Sequence, residues 1–372
     1  MALNTVSTNR LSTNVKPSNL SSGFGPLGSR NMVINGAMQV NQRGSGSLTV
    51  NSSTGQFPCD RWVARGEGGS KAYTIQQVSI SSSGQGVRNA IKVTSSQAAS
   101  VAASDIFNVR QMVEGFNIQR MNFGESGCKS MTLSFTVRSS VAGTHSGAIQ
   151  NSAQNRSYPF TYTLSANTWT DISVTIPPIT SGSFNESNGV GARVVFDMGC
   201  GNNFRGTAGQ WNSAQDEGAT GSVRILETNG ATWEVTKVQL EVGTESTDFE
   251  HRSFAEELAL CQRYFYKIVG QDSDMAAFGF NYSASDHYFD IEFPVPMRDY
   301  PTYTGSSTDA RIFANNIGQD FQLSSMSIVG NMTSSNPNRV TLFVSQGGAS
   351  AGEGGLLSIQ NTEGSLSFSA EI

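Results

Sequence analysis

Apolar and polar side chains alternate one by one along many short stretches of this chain. A period of two restricts such stretches to half-buried β-strands. Tyr73, Ile75 and Gln77 keep the alternation, as do Met131, Leu133, Phe135 and Val137. So do Ile172, Val174 and Ile176, then Val194, Phe196 and Met198, and then Val223, Ile225 and Glu227. Met32, Ile34, Ala37, Met38 and Val40 read as an opening strand. Ser/Gly/Asn clusters at 81–84 and 185–189 punctuate these runs in the manner of tight turns. Strands this short and this numerous predict an all-β chain built from sandwiches of the jelly-roll kind.

The composition agrees. Only 14% of the residues are charged, the net charge is -5, and Gly and Phe reach 39 and 21. Disorder couples low hydrophobicity to high net charge, which this chain lacks. An exterior poor in charge suits contact with other proteins, because few ions must be desolvated when neighbours pack. The slight acidity and the lack of any Lys/Arg run argue against a nucleic-acid footprint. No apolar run approaches the ~20 residues needed to cross a bilayer, so no membrane insertion is expected. Residues 1–30 lack the apolar centre of a signal peptide, which predicts a chain made and kept in the cytoplasm.

Residues 1–30 read as an extended anchoring arm, polar and Gly/Pro-containing, with spaced apolar residues such as Val6, Leu11, Leu20 and Phe24. Residues 31–252 form the expected jelly-roll sandwich and residues 253–268 a short linking helix. Residues 269–372 form a second, smaller β-sandwich, where Phe278, Phe280 and Tyr282, and then Tyr288, Asp290 and Glu292, alternate. The helix rests on a capping box, Ser253 with Glu256, followed by Phe254, Leu258, Cys261 and Phe265 at helical spacing. The loop 347–355 is glycine-dense and expected to be exposed. Cys59, Cys128, Cys200 and Cys261 lie far apart without metal-type spacing and are expected to be free thiols.

Catalytic chemistry has few candidates. His145, His251 and His287 share no metal-ligand spacing and flank no nucleophile turn. His145 is expected in a solvated loop, His251 at the domain junction and His287 at a hairpin turn. Paired carboxylates suited to glycoside hydrolysis are limited to Asp216 with Glu217, Glu256 with Glu257, and Asp290 with Glu292. Glu256 belongs to the cap, and Asp290 and Glu292 share one exposed strand face. No phosphate-cradling GxxxxGK[ST] string occurs. The expectation is therefore no enzyme and no cofactor.

The aromatics are more informative. Trp62, Trp169 and Trp233 fall on strands and read as core residues. Trp211 lies among Arg205, Gln210, Asn212 and Asp216. A ring amid amides and carboxylates can stack on a sugar while its neighbours bond the hydroxyls. The alternative is a loop tryptophan packed on its own sheet or in a subunit contact.

Three stretches carry a resemblance: NMVINGAMQVNQRG at 31–44, FPCDRW at 57–62, and VQLEVG at 238–243 continued by TDFEHR at 247–252 and ELALCQRY at 257–264. Together, with SAEI at 369–372, they resemble phage tail-fibre and minor virion structural proteins. The first domain also resembles carbohydrate-binding jelly rolls. What the resemblance implies is a virion component assembled in the host cytoplasm, a homo-oligomer with a trimer first. Its arm would join other virion proteins and its sandwiches would meet host-surface glycans. A purely architectural role (head decoration, head fibre or tail adaptor) stays open, as does a polysaccharide-degrading tailspike. The carbohydrate-binding relatives often hold calcium through an acid on the last strand, where this chain has Lys237.

Overall fold

The computed structural model describes residues 29–372 apart from 45, 52–54, 69–70, 82, 99, 271–274, 306–309, 315–318, 323–324, 329–336, 346–349 and 360–363. At 311, 313–314, 319–322 and 325–326 it describes the backbone alone. The expected arm falls outside the described residues except for Ser29 and Arg30, and so does part of the loop 347–355.

The first unit runs β1 (Leu48–Val50), β2 (Gln56–Cys59), β3 (Trp62–Glu67), β4 (Tyr73–Ser79) and β5 (Asn89–Ser95). Then come β6 (Ile106–Glu114), β7 (Met131–Ser139), β8 (Gly143–Asn151), β9 (Ser157–Leu164) and β10 (Thr170–Ile176). It ends with β11 (Val190–Asp197), β12 (Arg205–Gly206), β13 (Gly218–Ala219) and β14 (Thr232–Val242). Two six-stranded sheets result, ordered β1-β4-β5-β14-β7-β10 and β2-β3-β6-β11-β8-β9. The pairings described within both are antiparallel. Alternation sends every second side chain inward. Leu133, Phe135 and Val137 thereby meet Phe160, Val194 and Phe196 in one core around Trp62 and Trp233, both fully buried.

The opening stretch differs from the expected strand. Asn35 and Met38 adopt left-handed backbone, at φ 59° and 53°, which bends the chain into a turn. Side chains replace the missing ladder. Asn35 Nδ2 donates to the carbonyls of Val40 and Asp60 at 2.8 and 2.9 Å, and its Oδ1 accepts from Val40 N at 3.0 Å. Trp62 Nε1 donates to Asn35 O at 3.0 Å. Asn35 N donates to Glu257 Oε1, and Asn31 N to Glu250 Oε2 at 2.7 Å. Gln111 closes the back with two bonds to Ile34, at 2.7 and 2.8 Å. The motif stretches at 31–44, 57–62 and 238–264 therefore meet at one buried polar knot that ties the chain's opening to its middle.

Asp60 belongs to that knot, accepting from Gln42 N at 2.6 Å. Burial lifts its carboxyl from the usual 3.8 to about 6, against the pull of that bond. The folded state thus holds the proton more tightly than the unfolded chain. The stability this confers is full below pH 3.8 and lost as pH rises through about 6. Relative to Asp60→Asn, the native chain should lose roughly 2–3 kcal/mol between pH 4 and 7.5, read by urea unfolding at each pH. A constant difference across that range would exclude the shift.

Val223, Ile225 and Glu227 do not form the expected strand; Ile225–Glu227 is a 3-10 turn with Ile225 and Leu226 buried. Ser253 and Glu256 do form the capping box, but the helix α1 ends early, spanning Phe254–Gln262. Phe254 points to solvent at 58% exposure, whereas Cys261 is fully buried. Phe265, placed on the helix by its spacing, begins the strand β15 (Phe265–Val269) instead. Pairing with the chain's last strand, which burial of Phe368 anchors, outweighs one more helical turn.

The remaining strands are β16 (Met275–Asn281), β17 (Asp286–Glu292), β18 (Thr302–Thr304), β19 (Ala310–Ala314) and β20 (Gln319–Gln322). They continue through β21 (Ser325–Ile328), β22 (Arg339–Ser345), β23 (Gly354–Ile359) and β24 (Ser365–Ser369). A sheet β15-β24-β18 faces a larger one, β20-β19-β23-β16-β17-β22-β21. Phe289, Ile291, Leu342, Val344, Leu357 and Phe368 fill the space between. A small cluster of Ile34, Val40, Cys261 and Tyr264, with Ile372 against it, joins this second sandwich to the first. The four cysteines are free, and three are buried.

Candidate functional site

The residues proposed around Trp211 lie on a long connection between the last two large strands of the first unit. From Gly201 it forms a 3-10 turn, Asn202–Phe204, then β12, which pairs in parallel with β13. Between those strands Asn212 bridges to Ser157 at the start of β9. Gln150 Nε2 donates to Asp216 O at 2.9 Å and Asn108 Nδ2 to Glu217 Oε2 at 2.9 Å. The connection therefore lies across the outer face of the second sheet, the side turned away from the core. Glycine is required where it comes closest. A Cβ at Gly218 would sit 2.3 Å from Asp197 Oδ2, and one at Gly206 2.2 Å from Asp216 Oδ2.

The five expected site residues divide. Gln210, Trp211, Asn212 and Asp216 form a linked row, with Gln210 Nε2 donating to Asn212 Oδ1 at 3.1 Å and Asn212 Nδ2 to Asp216 Oδ2 at 2.8 Å. Two of the expected roles need correction. Asp216 is 5% exposed and also accepts from Ser157 Oγ at 3.0 Å. Arg205 is 8% exposed, with Nη2 2.6 Å from Asp197 Oδ2 and Nη1 donating to Ser222 O at 2.8 Å. Both act as internal braces for the connection and are closed to a sugar. Burial pushes the Asp197 carboxyl up, opposed by Arg205 and by the N–H groups of Cys200 and Gly199.

Trp211 is half-buried. Its Nε1 donates to Pro177 O at 2.9 Å, and its ring centroid stands 5.5 Å from Tyr158 and 6.4 Å from Phe184. That is the packing of a loop tryptophan on its own sheet, with little of an open stacking platform left. Gln210 and the edge of Asn212 remain accessible.

Beside this connection the outer face holds groups that sequence reasoning missed. On β6, Phe107, Val109 and Val113 enter the core, so Asn108, Arg110 and Met112 face outward. Arg65 on β3 pairs with Asn108, and Arg193 on β11 pairs with Met112. Arg65, Arg110 and Arg193 consequently form a diagonal over three adjacent strands, at the roughly 7–8 Å spacing of diagonal cross-strand neighbours. Arg65 Nε donates to Glu67 Oε1 at 2.5 Å, and Arg193 Nη1 to the carbonyls of Asn151 and Ser152 at 2.6 and 2.8 Å. Burial and the charge of Arg65 lower the pKa of Arg110, while burial and Arg110 bring Arg193 down to about 10. Glu217, fully buried, opposes them both, and Glu67 adds to it on Arg110.

Four buried polar atoms on this face have no internal partner: Nε of Arg110 and of Arg193, Oδ1 of Asn108 and Oε1 of Gln150. Asn108 and Gln150 are both fully buried, and the bonds their amide nitrogens make fix which end is the oxygen. All four are closed to solvent, those of Asn108 and Gln150 beneath the connection that their amide nitrogens bond.

Two of the three histidines take other places than expected, and His251 lies at the junction. His145 is 1% exposed on β8, with Nε2 2.9 Å from Val141 O and its ring stacked on Tyr162. His287 is 1% exposed on β17, with Nδ1 2.7 Å from Asn281 Oδ1. Both stand on inward positions of strands, where alternation overrides the polar sequence around them. His251 is exposed, against Phe249. It lines a cleft of about 640 Å³ with Arg252, Leu260, Arg263 and Pro296. Arg252 and Arg263 are already paired there, with Glu250 at 3.3 Å and Glu114 at 2.6 Å, so the cleft reads as a junction. Lys237, at φ 51° in a bulge of β14, places Nζ 3.4 Å from Asp171. An ammonium in that position does not fit a calcium site, and among the described residues no group of three His, Cys, Asp or Glu side chains is placed to hold a metal. No helix among the described residues is long and apolar enough to cross a membrane.

A second surface stands out on the larger sheet of the second sandwich. Phe278, Phe280 and Tyr282 are 69%, 49% and 68% exposed. Phe280 stacks on Tyr288 at 5.7 Å, and Tyr288 meets Phe343 at 5.6 Å, so the row spans three strands. Asp290 and Glu292 lie on the same exposed face, on a strand interior to the sheet and not at its edge.

No family model matches this chain, and no curated protein matches it. Among solved structures it is similar to the enzymatically active domain of tailspike protein 4 of bacteriophage CBA120, at TM-score 0.29 and 11% identity, over 57% of this chain and 22% of that one. It is also similar to the family 11 carbohydrate-binding module of Clostridium thermocellum in complex with a mixed-linked tetrasaccharide, at TM-score 0.28 and 10% identity, covering 55% and 99%. The N-terminal cellulose-binding domain of Cellulomonas fimi β-1,4-glucanase C gives TM-score 0.24 and 16% identity, covering 53% and 99%. Likeness at this level carries no function across, and the sandwich assignment rests on the strands and registers described above.

Proposed function

We propose that this chain is a phage virion structural protein, a tail-fibre or spike component. In this reading residues 1–30 attach it to the particle and its sandwiches meet glycans on the host surface. The observation that supports the recognition role is the outer face of the second sheet, where the half-buried Arg65, Arg110 and Arg193 lie beside the accessible amides of Gln210 and Asn212. Such groups match sugar hydroxyls, which donate and accept in a fixed ring of directions. The role is binding without turnover, since the Asp216 carboxylate is held by Ser157 and Asn212 and buried away from solvent. Immunogold labelling of purified particles with antibodies to this chain should decorate the virion at a fixed position. Unlabelled particles from cells that contain the protein would contradict the reading.

The architectural alternative has its own support in the aromatic row on β16, β17 and β22. Exposed large apolar side chains gathered on one sheet face mark a contact surface. We assign that face to a second copy of the chain, in keeping with the homo-oligomer that the virion reading requires. The double variant Phe278→Ser and Phe280→Ser should sediment as a monomer where the native chain sediments as an oligomer. An unchanged oligomer would move the contact elsewhere.

A further inference from the structure

We infer that the cleft lined by helix α1, Val295 and Pro296 holds a segment of this same chain, residues 20–28, with Phe24 and Leu27 against its apolar side chains. This goes beyond the virion reading and does not depend on it. The way the chain enters the fold comes first. Glu250 grips three successive N–H groups, those of Ser29 at 2.5 Å and Arg30 at 3.2 Å through Oε1 and that of Asn31 at 2.7 Å through Oε2. From the other side Arg120 holds two carbonyls, Nη1 donating to Ser29 O at 2.6 Å and Nη2 to Arg30 O at 3.1 Å. Ser29 adopts left-handed backbone at φ 79°, an uncommon conformation for serine that these bonds hold in place. Charge-assisted bonds thus fix the point at which the preceding residues leave, and that point lies in the wall of the cleft.

The lining selects the kind of occupant. Glu256, Ala259, Leu260 and Arg263 share one face along α1 and its C-terminal cap, and Val295 and Pro296 add further apolar surface. The charged groups in the lining are already engaged: Arg252 with Glu250 and Glu257, Arg263 with Glu114, and Glu256 with Ser253. The apolar side chains are therefore what an occupant must match. Residues 20–28 read LSSGFGPLG and carry no charged side chain, so they enter without desolvating an ion. Leu27 lies two residues before Ser29 and Phe24 five, a reach of about 7 and 17 Å in extended chain. The α1 face from Glu256 to Arg263 is about 10 Å long, so both side chains come within the cleft. Gly23, Gly25 and Gly28 allow the backbone between them to lie close to the helix. The volume, about 640 Å³, suits a short peptide segment. Joined to the wall it covers, the segment stands at an effective concentration on the order of millimolar, an advantage no free ligand shares. Residues 1–19 are then left to reach a neighbour on the particle.

The test is disulfide trapping in the full chain carrying Leu27→Cys and Ala259→Cys, with Cys128→Ser throughout because the other three native thiols are buried. Ala259 is half-buried, so a thiol there is open to a partner. Mild oxidation should join positions 27 and 259 within one chain in most molecules, read by peptide mapping and by a monomer band on a non-reducing gel. A second pair, Leu11→Cys with Ala259→Cys, should cross-link at least tenfold more slowly. A disulfide between two copies would give the cleft to a neighbour's arm and overturn the assignment. Equal rates for the two pairs, or no cross-link at all, would overturn it too. Chymotrypsin supplies a readout that needs no added cysteine. Cleavage after Phe24 should be tenfold or more faster in Ala259→Arg than in the native chain, with the two melting temperatures equal. The same rate in both chains would count against the inference as strongly as a missing cross-link. Should Ala259→Arg melt lower, the trapping result alone decides.

Discussion

Replacing Arg205 with methionine should destabilise the fold by about 3–5 kcal/mol, the usual cost of leaving one partner of a buried ion pair alone. Asp197 is 2% exposed, and its strongest partner is the Arg205 guanidinium at 2.6 Å. Without it the carboxylate keeps the N–H groups of Gly199 and Cys200 at 2.8 and 2.7 Å, and Ser146 Oγ at 3.2 Å. Those bonds orient a charge without neutralising it. Methionine fills a similar volume, so the loss reads the charge and not a cavity. The double variant Asp197→Asn with Arg205→Met should recover most of the deficit, since the amide keeps the Oδ1 acceptor for the N–H groups of Gly199 and Cys200 and carries no charge. Urea unfolding of the native chain, the single variant and the double variant measures all three. A single variant that unfolds like the native chain but loses sugar binding would return Arg205 to the ligand site.

Asn35→Leu should be as damaging, at on the order of 4 kcal/mol or more. The side chain satisfies the carbonyls of Val40 and Asp60 and the N–H of Val40, all buried. Each buried polar group left without a partner costs roughly 1–3 kcal/mol. Leucine is also strained at φ 59°, where asparagine is among the few residues at ease. The same residue's backbone receives Trp62 Nε1 and reaches Glu257, so its loss should loosen the tie between the opening turn and helix α1. Asn35→Asp separates the two effects. It keeps the left-handed preference and one acceptor but sets a carboxyl oxygen against the carbonyls of Val40 and Asp60, so a loss as large as leucine's in the same unfolding assay assigns the effect to the hydrogen bonds and not to the backbone.

The sandwiches were legible because alternation is a local signal that burial enforces. Met131, Leu133, Phe135 and Val137 face the core as their spacing implies. The capping box was legible for a similar reason, since its two side chains and two N–H groups lie within four residues. The opening turn was not, because its apolar spacing imitates a strand while Asn35 and Met38 carry the information in their backbone sign. Phe265 misled in the same way. Its spacing from Cys261 fits a helix, yet the strand it starts pairs residue by residue with β24, far along the chain.

The site was half legible. Trp211 and its amide neighbours were visible as an unusual cluster, and the structure does place Gln210, Trp211, Asn212 and Asp216 in one row. Their burial was not visible, because what covers Asp216 and Arg205 is the sheet beneath, Ser157 and Asp197 among it. The arginines were missed for a topological reason. Arg65, Arg110 and Arg193 each stand alone in an apolar strand, and only the order β3-β6-β11 makes them neighbours. A single charge between inward-facing apolar residues is the signal that was available, as in Val109, Arg110 and Gln111.

The claim on which the rest depends is that this protein holds a polysaccharide without altering it. Incubating the full chain with the host-surface polysaccharide that it binds best, while following bound protein and new reducing ends together, tests that most directly. The account predicts saturable binding with reducing ends at the level of the polymer alone and an unchanged chain-length distribution. Reducing ends that rise in proportion to protein concentration, with shortened chains, would contradict it.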